Sequence, residues 1–523
     1  VAELQPIEDF VPLSQSKAWD IQKRFYAHRG PQAWHTHQVP HYVTGNSIVA
    51  SSYARTLSAF IEDCIALGPE HPLGQLDLSK PVEVVELGSG GGRLGFLLAR
   101  ELAEISKARE LPSFRVILTD FNEANVRGFE SRPEFQRLRD AGLVDFAIFD
   151  ADDPRPLSLR HSGESLEQSP NPILIVANYV IDTLRQDAFA TDGSRLMQVL
   201  YRTLIPSGED PEAPNASALI ELATQPSPIE LPHYQDPFLD GLLTRYRDGL
   251  TKAEFLIPVG GIRALQHLLK ISGGRGCLMV GDKGYRRLAD LDRKGIGAPP
   301  KHGSFSFMVN FDALGCLAEA YGGSALTAHA KHTRFTVASF AFTGHSAAVL
   351  PRWRDAYRDR VDRFGPAEYH RLFQSLREKK ESPDLPSLLL MLRIADHDSV
   401  LFARYGADIL AAISSADNAT RHDLLVSIDE VLERTFPIGP QDDSLFMAGR
   451  MLFAMGRAAE ARVLFERVTH EQPKRRAGWF NHGVALEALG DTLGAQRSYQ
   501  RAVDIAPDYA RAREALERLQ ARA

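Results

Sequence analysis

The segment VEVVELGSGGGRLG, residues 82–95, constrains this chain more than any other stretch. An apolar, β-branched run (Val82, Val84, Val85, Leu87) leads into a cluster of glycines. After them Leu94, Phe96, Leu97, Leu98, Leu102 and Ile105 recur at helical spacing. Glycines between a strand and a helix allow left-handed backbone and close approach of a neighbouring group. The segment is therefore read as strand, tight turn and helix, the opening unit of an α/β domain.

The residues up to about Phe342 repeat that alternation. VEVVEL, RVILTD, VDFAIFD, PILIVAN, ALIELAT, GCLMVGD and RFTVASFAF read as strands, several apolar on both faces as in a covered parallel sheet. The expected fold is a Rossmann-like α/β domain with a mostly parallel seven-stranded sheet, followed by an all-α domain. We place an N-terminal helical or lid segment at 1–81, the α/β domain at 82–345 with a helical cap over about 226–272, a helical connector at 346–440, and a repeat region at 441–523. SGEDPEAPNAS, residues 207–217, reads as a Pro-rich surface insertion.

The glycine loop admits two cofactors. A dinucleotide loop, G-x-G-x-x-G, fits Gly88, Gly90 and Gly95 only with a two-residue miss. The series Glu86, Gly88, Gly90, Gly92 instead matches the E-x-G-x-G-x-G of S-adenosylmethionine methyltransferases. Glu86 suits the ammonium of that cofactor better than a pyrophosphate. Asp120 closes the next strand, where a carboxylate can accept both ribose hydroxyls; otherwise it would cap a helix, with Asn122 as competitor. Asp150, followed by Ala151, closes a third strand and stands where the adenine amino group is held; otherwise it is a turn residue. Ser89 and Phe121 complete these two loops. Three acidic strand ends in order favour S-adenosylmethionine over NAD.

The C-terminal end repeats itself. LFMAGRMLFAMGRAAEARVLFERVTHEQP aligns with WFNHGVALEALGDTLGAQRSYQRAVDIAP so that Leu445 and Trp479, Gly449 and Gly483, Gly456 and Gly490, Ala461 and Ala495, Phe465 and Tyr499, and Pro473 and Pro507 all pair at 34 residues. That period resembles tetratricopeptide repeats (TPRs). The resemblance implies a groove for a protein or peptide partner, with Phe446, Arg450, Asn481 and Ala485 as candidate groove residues on the inner helices.

NPILIVANYVIDTLRQDAF resembles the motif segment of the MidA-type methyltransferases, a family that includes mitochondrial complex I assembly factors methylating a protein arginine. HYVTGNSIVASSYARTLSAFIED and GCLMVGDKGY are similar to two further family segments. The resemblance covers most of 42–342. It implies that Tyr42, Thr44, Asn178 and Tyr179 lie on the cofactor side; methylating a guanidinium also needs a carboxylate that orients the cation and removes a proton, for which Asp182 is the nearest candidate, with Asp152, Asp187 and Asp282 behind it. Where the family has Glu, this chain has Tyr179, so no role that needs a carboxylate passes to that position. Asp182 could instead be a helix N-cap. The implied activity is methyl transfer from S-adenosylmethionine to a protein or peptide, an arginine nitrogen among the acceptors. A small-molecule enzyme with repeats serving oligomerisation, and a non-catalytic binding scaffold, are the alternatives.

Charge and cysteine content narrow the partners. The net charge of −7 argues against nucleic acid, whose phosphates need a basic surface. Three cysteines far apart imply reduced thiols and a cytoplasmic protein, and no apolar stretch is long enough for a membrane span. A homo-oligomer is left open. His28, His35, His37 and His41 cluster without a metal motif, so no metal is expected and the segment is read as a lid, with Trp34, Tyr42 and Tyr53 as aromatic walls.

Overall fold

The computed structural model describes residues 3–35, 42–300, 304–329, 335–377, 383–438 and 443–521. The chain divides into two compact units, 1–373 and 374–523.

The main sheet of the first unit contains β1 (Val82–Leu87), β2 (Phe114–Asp120), β3 (Val144–Ile148), β4 (Ile173–Asn178), β5 (Arg275–Tyr285), β6 (Ser324–Thr327) and β7 (Phe335–Thr343). Their order is β6-β7-β5-β4-β1-β2-β3. Strands β3, β2, β1, β4 and β5 are mutually parallel, and β7 runs antiparallel to both β5 and β6. A two-residue strand, Val309–Asn310, pairs with the end of β5, so among the described residues the sheet counts eight strands rather than seven. All seven segments read as strands form one, although ALIELAT begins as a short helix and becomes a strand from Glu221.

Both faces of the main sheet are covered. Ile262, Leu265, Leu268 and Leu269 of helix Val259–Lys270 share a core with Ile173, Ile175, Leu278 and Val280. Each such side chain contributes about 1.5–3 kcal/mol on leaving water. Helix α1 (Lys17–Arg29) is capped by the Ser16 hydroxyl. Helix α2 (Ser47–Leu67) is capped by Asn46, whose side chain accepts from the Val49 N–H, and is buried around most of its circumference. Helix α3 (Arg93–Arg109) follows the glycine loop.

A second sheet of six strands, antiparallel throughout, comprises Leu4–Pro6, Val11–Pro12, Asp187–Thr191, Leu196–Pro206, Glu221–Pro228 and Ala253–Ile257. Four of these strands lie in the chain between β4 and β5. The stretch expected as a helical cap, 226–272, therefore holds the end of one strand, helix Pro237–Gly249, strand Ala253–Ile257 and the sheet-covering helix Val259–Lys270. A run of helix-spaced apolar residues fits a core helix as well as a cap, because both need one apolar stripe. The 207–217 insertion connects strand Leu196–Pro206 to the short helix Ala216–Leu219, with its first residues exposed.

Helix Pro351–Tyr357, expected in the connector, belongs to the first unit. Trp353 is fully buried there, its backbone N–H on Asp63 Oδ2 at 2.9 Å and its indole N–H on Ser339 Oγ at 2.9 Å.

In the second unit helices Ser444–Ala454 and Ala458–Glu471 form one antiparallel pair, Arg476–Ala488 and Thr492–Ile505 the next, and Ala510–Gln520 closes the array. The 34-residue glycines have physical roles. A Cβ at Gly449 would lie 2.8 Å from the Phe465 ring, and one at Gly483 2.5 Å from Tyr499. Gly456 and Gly490, with φ of 79° and 84°, turn each first helix into its second. Among the described residues no helix is long and apolar enough to cross a membrane.

Candidate functional site

Chain order reverses in the main sheet between β1 and β4, and at such a switch point the carboxyl ends of neighbouring strands diverge to leave a crevice. Asp182 and the residues expected to bind the cofactor, except Tyr42 and Thr44, lie on or just after the carboxyl end of β1, β2, β3 or β4. In the loop after β1, Gly88, Gly90 and Gly92 have φ of 60°, 57° and 80°, a region costly for residues with a Cβ. A Cβ on Gly88 would also lie 2.8 Å from Val180. Ser89 pins the loop to β2: its N–H donates to the Thr119 carbonyl at 2.8 Å and its Oγ accepts from the Thr119 N–H at 3.1 Å.

Glu86 is buried at the end of β1, and its Oε2 has no hydrogen-bond partner. Burial pushes its carboxyl up to about 7, with the nearby Asp120 charge acting in the same direction and the Ser89 hydroxyl against it. Asp120 is also buried, and burial raises it to about 6 against the Asn122 N–H that it accepts at 2.9 Å. The helix after β2 is capped by Asn122, whose side chain accepts from the Ala124 N–H, so Asp120 is not its N-cap. Asp150 accepts the Asp152 N–H at 3.2 Å as a turn residue does, and its carboxylate also pairs with the Lys23 ammonium. Lys23 lies 5.4 Å from the centre of the half-buried Phe121 ring, and Ala151 is buried beside them in sequence.

Asn178 joins three elements. Its Oδ1 accepts from the Tyr53 hydroxyl and from the Gly281 N–H, both at 2.8 Å, and its Nδ2 donates to the Thr44 carbonyl at 3.1 Å. Tyr179 adopts φ of 51°, with its ring 5.6 Å from Phe335 and 5.7 Å from the Lys283 ammonium. Tyr42 bonds through its hydroxyl to that of Tyr369 at 3.0 Å. The Tyr53 side chain is thus a structural latch under Asn178.

Asp182 lies in a single 3₁₀ turn, Ile181–Thr183, which has no side-chain cap, so the N-cap alternative does not describe it. Its carboxyl is buried, Oδ1 has no hydrogen-bond partner, and burial pushes it up to about 6. Of the three acids ranked behind it, Asp152 accepts the Arg185 N–H and Asp187 accepts the Ser14 N–H and the Tyr234 hydroxyl. Asp282 alone joins Asp182, accepting its N–H at 3.1 Å.

Two contributors escaped the motif analysis. Helix α1 runs over the crevice, held by Lys23 on Asp150 and by Asn122 Nδ2, which donates to the carbonyls of Tyr26 at 3.1 Å and Ala27 at 3.2 Å. The Tyr26 hydroxyl is buried close to Ser304, Asp182 and Asp120, and burial raises it to about 12. No periodic signal marks a tyrosine inside an amphipathic helix as a site residue. A cleft of about 930 Å³ opens beside the end of β5, lined by Lys283, Arg286, Lys294, Ser306, Phe307 and Met308 among others. The Phe307 N–H donates to the Asp182 carbonyl at 3.0 Å and so links cleft and crevice.

Comparison with known proteins bears first on the second unit, where the tetratricopeptide repeat family matches residues 443–475. The C-terminal region is a helical TPR array. No curated protein matches the chain. Two crystal structures from Burkholderia thailandensis are similar to it at 14% identity. One, an uncharacterised protein, covers 65% of this chain and 89% of its own with a TM-score of 0.39. The other, a member of the same superfamily described as a "likely methyl transferase" and bound to S-adenosyl-homocysteine, covers 66% and 90% with a TM-score of 0.40. The CMeT domain of the citrinin polyketide synthase is similar at 8% identity over 51% of this chain and 48% of that one, with a TM-score of 0.24.

Among the described residues no group of three or more His, Cys, Asp or Glu could hold a metal. His37 and His41, like the side chains of Trp34 and His35, lie outside the described residues, and the histidine-lid expectation with them.

Proposed function

We propose that the first unit binds S-adenosylmethionine in the crevice between β1 and β4 and transfers its methyl group to an acceptor presented beside Asp182. The observation that carries this reading is Glu86 Oε2, a buried acceptor without a partner at the end of β1. An unpaired buried carboxylate oxygen costs a few kcal/mol unless a ligand satisfies it. An ammonium group does so, and a pyrophosphate would be repelled. Asp120 would take the ribose hydroxyls, and Asp150 with Ala151 the adenine edge once Lys23 gives way. When bound, the cofactor supplies an electrophilic methyl on a sulfonium. The chain's own residues orient the acceptor, exclude water and accept its proton, with Asp182 as the base.

The acceptor, on this reading, is a protein or peptide recruited through the TPR array, because a second contact raises effective concentration at the reacting atom. The resemblance to MidA-type methyltransferases suggests an arginine nitrogen, and the three unbridged thiols support a cytoplasmic setting. A small-molecule acceptor is the second reading. It is favoured by Lys283, Arg286 and Lys294 lining the cleft, since cations repel a guanidinium and attract an anionic molecule. Isothermal calorimetry with S-adenosylmethionine and with NAD tests the cofactor, and heat with NAD alone would overturn the reading. Incubation with methyl-labelled cofactor and a cell lysate tests the acceptor: label in protein supports the first reading, label in small molecules the second, and no transfer a scaffold.

A further inference from the structure

Asp182 and Asp282 stand 100 residues apart in the chain and adjoin in the fold. Asp282, in β5, is completely buried. Its Oδ1 accepts the Lys283 N–H at 2.8 Å, and its Oδ2 accepts the Asp182 N–H at 3.1 Å. The Asp182 N–H on Asp282 Oδ2 sets the two buried residues side by side, while Asp182 Oδ1 remains without a partner. The groups that face the pair are the Lys283 ammonium from β5, the Ser306 hydroxyl, and the phenols of Tyr26 from α1, Tyr53 from α2 and Tyr179 after β4. One ammonium cannot compensate two carboxylates withdrawn from water, and like charges so close do not both ionise.

We propose that Asp182 and Asp282 hold one proton between them, with Asp282 as its keeper and Asp182 as the carboxylate whose free Oδ1 takes the proton of the methyl acceptor. The division follows from the surroundings. Asp282 is completely buried beside the Asp182 carboxyl, which raises it far above the carboxylate range against the two backbone N–H bonds it accepts, whereas the Lys283 ammonium favours the charged form of Asp182. In the transfer step, which rests on the proposed function, an O–H or N–H bond of the acceptor breaks and its proton passes to Asp182. The acceptor's electron pair forms the new bond to the methyl carbon, and the pair of the broken carbon–sulfur bond stays on sulfur. Asp282 never touches the acceptor. It is a positioning residue, and its donated O–H keeps Asp182 ionised and aimed.

Infrared spectroscopy of the full chain tests the pair directly. At about pH 8, above the range of Glu86 and Asp120, wild type should show the carbonyl stretch of a buried carboxylic acid. The band should vanish in Asp282→Asn and persist in Asp182→Asn. Its absence from wild type, or the reverse assignment between the two variants, would overturn the proposal. Should either variant fail to fold, the wild-type spectrum still decides whether the pair carries a proton, and the folded variant assigns it. Asp182→Asn should also lose turnover by more than about a hundredfold. The infrared result needs no methyl transfer, so a chain that binds no S-adenosylmethionine would sink the proposed function and leave the proton pair standing.

Discussion

The Tyr53 hydroxyl donates to Asn178 Oδ1 at 2.8 Å, and the same oxygen accepts the Gly281 N–H at the same distance. One amide oxygen thereby ties α2 to the carboxyl ends of β4 and β5, the strand ends that carry Tyr179 and Asp282. Asn178→Ala would orphan the phenol and the Gly281 N–H, and we expect a loss of about 2–3 kcal/mol of stability in urea denaturation. Tyr53→Phe, which deletes one bond, should cost about 1 kcal/mol.

Glu86 titrates near 7 because it is buried. A carboxyl raised on folding adds stability that is fully present below its unfolded value, about 4.3, and is lost as the pH rises through the folded value. Wild type should therefore lose stability relative to Glu86→Gln as pH climbs from about 4 to about 7. Affinity for S-adenosylmethionine should move the opposite way, rising by up to about tenfold per pH unit over the upper part of that window, because the ammonium calls for the ionised form. Calorimetry on both proteins across pH checks the two signs together, and an unchanged slope in Glu86→Gln would remove Glu86 from the cofactor's binding site.

The residues proposed to bind the cofactor all lie in the first unit, so the fragment 1–373 should bind S-adenosylmethionine with the affinity of the full chain. A weaker fragment would show that residues beyond 373 contribute to the site.

The TPR glycines can be probed separately. Gly483→Ala places a methyl against Tyr499 at a distance real side chains do not reach. It should destabilise the array by about 1–3 kcal/mol, read as a lowered melting transition, while cofactor binding stays as in wild type. Of the residues expected to face a partner, Ala485 is fully buried and Phe446 nearly so, with the Arg475 guanidinium 3.9 Å from the Phe446 ring centre. Substitution of Arg450 or Asn481, both half-buried, is the fairer test of recruitment, expected to raise the apparent KM for a polypeptide acceptor at unchanged kcat.

Local features were legible in the order of the residues. The glycine loop, the strands that end in Glu86 and Asp120, and the 34-residue register of the array each depend on neighbours a few positions away, where backbone sterics and periodic burial impose a pattern. The long strand Leu196–Pro206 was missed although its buried and half-buried positions alternate along most of its length, as a half-covered strand requires. What no local pattern could encode is pairing across distance. Residues 4–12 join strands beyond 187, Lys23 reaches Asp150, and Asp182 lies against Asp282. Those meetings are set by which strands adjoin in the sheet and which helix covers its edge, and they arise when the whole core leaves water together.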